Sequence, residues 1–252
     1  MNSPVDSSSE SHSDVLKCTG IELETHNCKT YTFRSQNAIN YIPGQYGNFV
    51  VNINGKEAQR TWTISSAPDS PTDNKSLSIT VKRKEGGLVS NWLFEHLNVN
   101  DTISLTGIEG NFTLEKLVKS KGRKILFIAA GSGITPFISI IRSLASAKQQ
   151  WDINLLYTAK TFEDFAFLNE LQEVSNRCTQ KVRVLFNTTQ KQDAGAFFHG
   201  RLTKEALSES MQDLMERDVA VCGPQLYMEH IHSLLETLNF PPDRFSIENF
   251  DY

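Results

Sequence analysis

The sequence predicts two domains of different class, an antiparallel all-β domain of six strands followed by an α/β domain on a parallel sheet. Three observations carry the prediction. Short strand-like runs separated by glycine, proline and asparagine fill the first half of the chain, the pattern of a small antiparallel barrel or sandwich. From about Gly122, strand-like runs alternate with helical ones, the rhythm of a parallel sheet with helices on its faces. Ile125 to Leu144, ILFIAAGSGITPFISIIRSL, reads as a buried strand, a glycine-rich turn and an amphipathic helix.

Taken in order, Met1 to Asp14 are serine-rich and without periodicity, and a disordered tail is expected there. The β-domain, residues 15–118, follows. Its strands are expected at Val15 to Glu24, Lys29 to Ser35, Tyr46 to Ile53 after the Pro43-Gly44 turn, Arg60 to Ser66, Leu77 to Lys84 and Thr102 to Thr106. Gly107, Gly110 and Phe112 mark a tight turn. The break in rhythm at Lys116 to Lys124 separates this domain from residues 119–252. There the pairs are Ile125 to Ala130 with Pro136 to Ala147, Asp152 to Thr158 with Phe162 to Val174, and Val182 to Asn187 with Thr203 to Leu214. Val219 to Cys222 with Gln225 to Leu238 completes the set.

The totals exclude several functions. A chain of 252 residues can bury two cores, and a hydrophobic fraction of 39% suits a globular protein. The net charge of -4 is too mild for nucleic-acid binding. No apolar run approaches the roughly 20 residues of a membrane helix, and no secretory signal opens the chain, so a cytoplasmic location is expected. Cys18, Cys28, Cys178 and Cys222 have no cluster spacing; no metal site is expected, and they read as reduced thiols.

Five stretches can carry chemistry. The glycines of Gly131-Ser132-Gly133-Ile134-Thr135-Pro136 allow a close backbone approach, and the helix start offers amides to a pyrophosphate. Pro136 occupies the third glycine position of G-x-G-x-x-G, and a plain tight connection is the alternative. In Arg60-Thr61-Trp62-Thr63 the arginine can clamp a phosphate, the tryptophan can lie on a flat ring and the hydroxyl can reach a ring nitrogen. The alternative is a half-buried strand with its Trp in the core. Gly86-Gly87-Leu88-Val89-Ser90 again leads into a helix and reads as a second phosphate site or a capped hairpin end. Cys222-Gly223-Pro224 ends a buried strand on the carboxyl edge, where ligands bind in such sheets, although a buried cysteine is ordinarily a small apolar residue. The terminal Glu248-Asn249-Phe250 adds a carboxylate and an aromatic ring, or frays as termini do.

The order of these motifs, R-T-W-T, G-G-x-x-S, G-S-G-I-T-P, C-G-P and a terminal E-N-F, resembles the ferredoxin–NADP reductase superfamily of flavoenzymes. The likeness runs from about Val15 to Phe250. It is strongest to NAD(P)H-dependent reductases of Rieske-type (quaternary-amine) oxygenases, through RTWTISSAP and VKRKEGGLVSNWL, and to the reductase of hybrid cluster protein. The resemblance implies a six-stranded antiparallel flavin-binding β-barrel and an α/β NAD(P)-binding domain. By the same resemblance Arg60 holds the flavin phosphate, Thr61 and Trp62 the ring or ribityl chain, and Thr63 lies near flavin N5, with Val81 beside them. Gly86, Gly87, Val89 and Ser90 hold the flavin pyrophosphate. Gly131, Ser132, Gly133, Thr135 and Pro136 receive NADH or NADPH. Cys222, Gly223 and Pro224 line the nicotinamide, Glu248 lies near the hydride path and Phe250 covers the flavin. Thr63, Cys222, Glu248 and Phe250 form the implied catalytic set.

Two departures stand out. Trp62 replaces the family's usual tyrosine. Oxygenase reductases of this kind continue into a plant-type [2Fe–2S] domain, whereas this sequence stops at Tyr252, so a separate ferredoxin, a truncated chain or another acceptor is expected. FAD is favoured over FMN, because G-G-x-x-S offers a second phosphate its own helix start. The expected function is hydride transfer from NAD(P)H to FAD, then single-electron transfer to an iron–sulfur partner. The alternatives are reduction of a small acceptor such as free flavin or a ferric chelate, and a non-enzymatic flavin-binding relay subunit. Lys160 and Arg201 keep NADPH open. Lys82-Arg83-Lys84 and the basic residues from Lys116 to Lys124 either steer an acidic ferredoxin or are plain solvated charges.

Overall fold

A computed structural model describes residues 13–68, 74–144, 150–176, 181–190 and 195–249. The expected tail lies outside these up to residue 12, and Asp14 already opens the first strand. Cys178, Phe250 and the end of the helix expected to reach Ala147 also lie outside the described residues.

The first domain is built from β1 (Asp14–Thr25), β2 (Cys28–Ser35), β3 (Tyr46–Ile53), β4 (Lys56–Thr63), β5 (Ser76–Lys82), α1 (Leu88–His96), β6 (Thr102–Glu109) and α2 (Leu114–Leu117). Its antiparallel order is β4-β3-β6-β1-β2-β5. The two outer strands approach each other through a bridge between Ile64 and Ile79 and a 2.8 Å bond from the Ser65 amide to the Ser78 carbonyl. The sheet is thereby rolled into a barrel around Tyr31, Phe33, Phe49, Leu77, Ile79 and Leu105. β4 starts earlier than expected because Asn54 and Gly55, both at positive φ, make the tight hairpin that such a pair favours. β6 runs on through Gly107 to Glu109, pairing with β3 and leaving Gly110 as the turn.

The second domain comprises β7 (Lys124–Ala130), α3 (Thr135–Leu144), β8 (Asp152–Ala159), α4 (Leu168–Asn176), β9 (Lys181–Thr188), β10 (Phe198–His199), α5 (Lys204–Ser210), β11 (Asp218–Cys222), α6 (Gln225–Thr237) and β12 (Phe245–Glu248). The strands run parallel in the order β10-β9-β8-β7-β11-β12. Chain order reverses at β7, so the crevice beyond its carboxyl end is the topological switch point of the sheet. Alternation along β7 serves both faces. Ile125, Phe127 and Ala129 pack with α3 and the segment before α4, while Leu126 and Ile128 pack with α5 and α6.

Two expected helices are broken. The stretch from Phe162 to Val174 is a 3₁₀ turn at Phe162–Asp164 and then α4, because Phe165, Ala166 and Phe167 turn into the core and Phe167 takes a φ of 59°. The stretch from Thr203 to Leu214 ends as a helix at Ser210 and resumes as a 3₁₀ turn at Leu214–Glu216.

Charged groups lock the amino edge of this sheet. The Arg217 guanidinium, 2% exposed, donates to both carboxylate oxygens of Asp213 and to Asp152, each at 2.8 Å. Asp218, fully buried, accepts from the Lys119 and Ser120 amides, the Ser120 hydroxyl and Arg244. The two domains meet along a polar seam. Arg142 donates to the Ser65 carbonyl at 2.8 Å, Ser139 to the Ser66 carbonyl at 2.6 Å, and the Phe167 amide to Glu24 at 3.1 Å.

Candidate functional site

A cleft of about 560 Å³ opens where the outer wall of the barrel faces the carboxyl edge of the parallel sheet. On the barrel side it is lined by Thr61, Trp62 and Thr63 at the end of β4 and by Thr80, Val81 and Lys82 on β5. The two sets meet because β4 and β5 are the strands that close the barrel. Trp62 packs on Phe49 at 5.7 Å between ring centroids and is half-buried in the cleft wall. The Thr61 hydroxyl donates to Asn48 at 2.9 Å, and Asn48 in turn donates to Glu109 at 3.2 Å. Tyr46, Asn48 and Glu109 also line the cleft. They belong to strands that carry no motif, so only the fold reveals them.

On the other side the cleft is lined by Ser132, Thr135, Pro224, Gln225, Glu248 and Asn249. Gly131 has a φ of +54° with nothing near its missing side chain, which leaves the backbone open to approach. The Tyr157 hydroxyl fixes the turn by donating to the Gly131 carbonyl at 3.0 Å. Gly133 does the opposite task. A Cβ there would stand 2.2 Å from the Cys222 carbonyl oxygen, so the turn is pressed against the end of β11. The residues form a 3₁₀ turn before α3, and Pro136 is the second residue of the helix.

Several expected site residues lie away from the cleft lining. Arg60 is exposed, its guanidinium donating to the neighbouring Gln59 carbonyl at 2.6 Å. Gly86, Gly87, Val89 and Ser90 stand beyond Lys84 at the cleft's edge; the Ser90 hydroxyl accepts the Lys84 amide, and the Val89 side chain belongs to the barrel core. Cys222, expected to line the nicotinamide, is fully buried among the apolar residues beneath the sheet's edge, because β11 is covered on both faces. Burial pushes its thiol well above the ordinary value, with the facing Glu248 adding to the shift.

Glu248 sits opposite Cys222 in the β11–β12 register. Burial raises its carboxyl to about 7. A group that changes charge near neutrality in a cleft wall can hold or release a proton there. The strand that presents it escapes sequence reasoning, because four residues acquire strand structure only by pairing with β11. Phe250 lies outside the described residues.

The arrangement fits a dinucleotide cofactor. Gly87 caps α1 and Ala130 caps the turn before α3, in both cases without a side-chain cap bond, which leaves two sets of helix-start amides for phosphates. Gly86 (φ +68°) and Gly131 leave open space beside both turns. Among the described residues no cluster of metal-ligating side chains occurs, and no helix is long and apolar enough to cross a membrane.

Comparison with known proteins agrees with this geometry. The family model of the oxidoreductase FAD-binding domain matches residues 16–114, and that of the oxidoreductase NAD-binding domain matches residues 127–233. The chain is 30% identical over 240 residues to the glycine betaine monooxygenase reductase subunit of Chromohalobacter salexigens, covering 93% of this chain and 63% of that protein. It is 31% identical over 230 residues to the NADH oxidoreductase HCR of Escherichia coli, covering 91% of this chain and 66% of the relative. It thus spans a little under two thirds of the length of these curated relatives. The flavohem-like FAD/NAD-binding domain of nitric oxide dioxygenase from Vibrio cholerae has the same fold, with a TM-score of 0.80 at 21% identity, covering 93% of this chain and 97% of that one. The chain therefore belongs to the ferredoxin–NADP reductase superfamily, with an FAD-binding barrel followed by an NAD-binding parallel-sheet domain.

Proposed function

We propose that this chain oxidises NAD(P)H with bound FAD and passes the electrons to an iron–sulfur protein. The observation that carries the reading is the single cleft with Trp62 and Thr63 of the FAD-binding domain on one wall and Ser132, Thr135 and Glu248 of the NAD-binding domain on the other. We take residues 118 and 119 as the boundary between the domains; the end of α2 at Leu117 and the hold of Asp218 on the Lys119 and Ser120 amides support this reading.

Bound FAD would supply the redox chemistry, accepting one hydride (two electrons and a proton) from the nicotinamide and giving up the two electrons one at a time. The protein's part is to position and tune. Trp62 offers a flat apolar surface, and Thr61, Thr63 and Val81 border it. Arg60 and the start of α1, from Gly86 through Val89 and Ser90, offer charge and amides to the flavin phosphates. The turn Gly131–Pro136 receives the pyrophosphate of the nicotinamide nucleotide. Gly223 and Pro224 shape the wall beside it, and buried Cys222 supports that wall from behind. Glu248, in the cleft wall, holds or releases a proton there. Lys82, Arg83 and Lys84 lie at the cleft's rim, where a positive field draws an acidic partner. Arg83 is also paired with Glu95, and Lys124 with Asp213 and Glu216, so one cation of each basic stretch is already neutralised. The relative named as a monooxygenase reductase subunit supports an oxygenase-linked acceptor.

Anaerobic addition of NADH, and separately NADPH, to the FAD-loaded protein tests the reading. Bleaching of the flavin bands by one of them is the expected result; a flavin that neither bleaches overturns it. Glu248 gives a second expectation. The folded protein keeps this proton up to about pH 7, while an unfolded glutamate loses it near 4.5. Stability of the cofactor-free protein should therefore fall as pH rises from about 4.5 to 7, and Glu248→Gln should lessen that fall. Thermal unfolding over a pH series measures it; identical profiles for the two proteins would refute the assignment.

A further inference from the structure

A continuous hydrogen-bonded chain runs from the seam between the domains to the wall of the cleft. Glu24 Oε1 lies 2.6 Å from Thr30 Oγ1, which lies 2.8 Å from Thr80 Oγ1. Thr80 Oγ1 lies 2.8 Å from Ser65 Oγ, and Ser65 Oγ lies 3.2 Å from the Ser78 carbonyl oxygen. Thr30, Thr80 and Ser65 are buried, and Thr80 lines the cleft.

The protons along this chain can be counted. There are four links and only three hydroxyls. A carbonyl only accepts, so the proton of Ser65 belongs to the link with Ser78. The proton of Thr80 is then needed towards Ser65, and that of Thr30 towards Thr80. The link between Thr30 and Glu24 has no hydroxyl proton left and requires one from the carboxyl itself. The other carboxyl oxygen, Oε2, accepts the Phe167 amide at 3.1 Å, which suits the carbonyl half of a neutral acid.

We propose that Glu24 stores a proton and is wired by Thr30, Thr80 and Ser65 to the wall of the cofactor cleft. When the proton leaves for solvent, the carboxylate becomes an acceptor and two hydroxyls turn: Thr30 donates to Glu24 and Thr80 to Thr30, while Ser65 stays on the Ser78 carbonyl. The only hydrogen bond lost is the one from Thr80 to Ser65. The two states thus differ in the direction of the Thr30 and Thr80 hydroxyls, and Thr80 is a residue of the cleft wall. The consequence for bound FAD rests on the function proposed above; the stored proton does not.

The surroundings favour the neutral form. Burial acts first to push the carboxyl above the ordinary glutamate range, and Glu22 on the same strand adds to it. Hydrogen bonds from Thr30 and the Phe167 amide act the other way, as does Arg142 on α3, whose guanidinium is itself held by Glu170 at 2.8 and 2.6 Å. Cys28 on β2 and Tyr157 on β8 feel the Glu24 charge and are neutral thiol and phenol groups. Along the same seam His26 faces Asp164 at 3.8 Å.

The test is carbon-13 NMR titration of glutamate side-chain carboxyls in the full-length, cofactor-free protein, with Glu24→Gln identifying the signal. The expected result is a Glu24 midpoint above the ordinary glutamate range. Ser65→Ala and, independently, Thr80→Val remove the need to break a link on ionisation, so each should lower the midpoint by about three- to tenfold in proton concentration, although neither residue touches Glu24. A midpoint in the ordinary range overturns the stored proton, and a raised midpoint unmoved by both variants overturns the wire. If neither variant folds, the infrared carbonyl band of a protonated carboxyl, followed over a pH series in the parent and in Glu24→Gln, decides whether the proton is there: the band unique to the parent should persist above the ordinary glutamate range, and its loss within that range overturns the proposal. Failure here leaves flavin bleaching by NAD(P)H untouched, and failure of that bleaching leaves the titration interpretable.

Discussion

Gly133→Ala is expected to destabilise the NAD-binding domain by about 3 kcal/mol and to abolish nucleotide binding. The added Cβ would stand 2.2 Å from the Cys222 carbonyl oxygen, 2.5 Å from its carbon and 2.7 Å from the Gly223 nitrogen. All three are backbone atoms, so no side-chain rotation relieves the clash. Either the turn lifts from β11 or β11 slides against β7, where Cys222 pairs with Ala129. Thermal unfolding should show a loss of about 10 °C, with nucleotide affinity followed by calorimetry. Gly131→Ala is the contrasting variant: its φ of +54° strains an alanine, but nothing occupies the space, so about 1 kcal/mol is expected. Equal stability of Gly133→Ala and the parent would show that the turn does not sit on β11 as described.

Arg217→Ala is expected to cost about 3–5 kcal/mol, because it leaves Asp152 and Asp213 facing each other without the buried cation between them. The guanidinium also donates to the Asp152 carbonyl at 3.1 Å, which ties the start of β8 to the loop before β11. Denaturant unfolding measures the effect. Lys124→Ala, which removes two ion pairs exposed to solvent, should leave the unfolding midpoint close to that of the parent. The hydrogen bond from Arg217 is the first cause holding the Asp213 carboxyl below its ordinary 3.8, against desolvation. Its contribution is therefore complete above that value and disappears as pH falls through the lower folded value. In Arg217→Ala the acid limb of the stability profile should move to higher pH. A cost within 1 kcal/mol for Arg217→Ala would mean that water already reaches this cation.

The larger architecture was legible because each domain repeats one local rhythm. Ile125 to Ala130 is apolar on both faces and Gly131 to Pro136 joins it to α3, so strand, turn and helix could be read from 20 consecutive residues. Thr61, Trp62 and Thr63 were readable for the same reason: one short motif puts them on one strand. What escaped depends on partners distant in sequence. β12 exists because β11 pairs with it, and Asn48 and Glu109 reach the cleft because β3 lies between β4 and β6. Phe165 to Phe167 interrupt a helical pattern because a core waits for their rings. Cys222 was assigned from the end of its strand, a position that does not say which way the sulfur points. The Glu24 chain joins four residues from three strands and the loop after β4, and no periodicity marks a hydroxyl that faces another hydroxyl.

The parallel sheet has its salt-bridged lock at one edge and its ligand crevice at the other. Each strand between them is five to eight residues long among β7, β8, β9 and β11, so the two edges stand a full strand apart. Energetic effects of substitutions at such separations largely add rather than couple. The crevice can therefore be recut for a different nucleotide or a different partner while the far edge keeps the domain folded. Tolerance to change and retention of shape are assigned to opposite ends of the same strands.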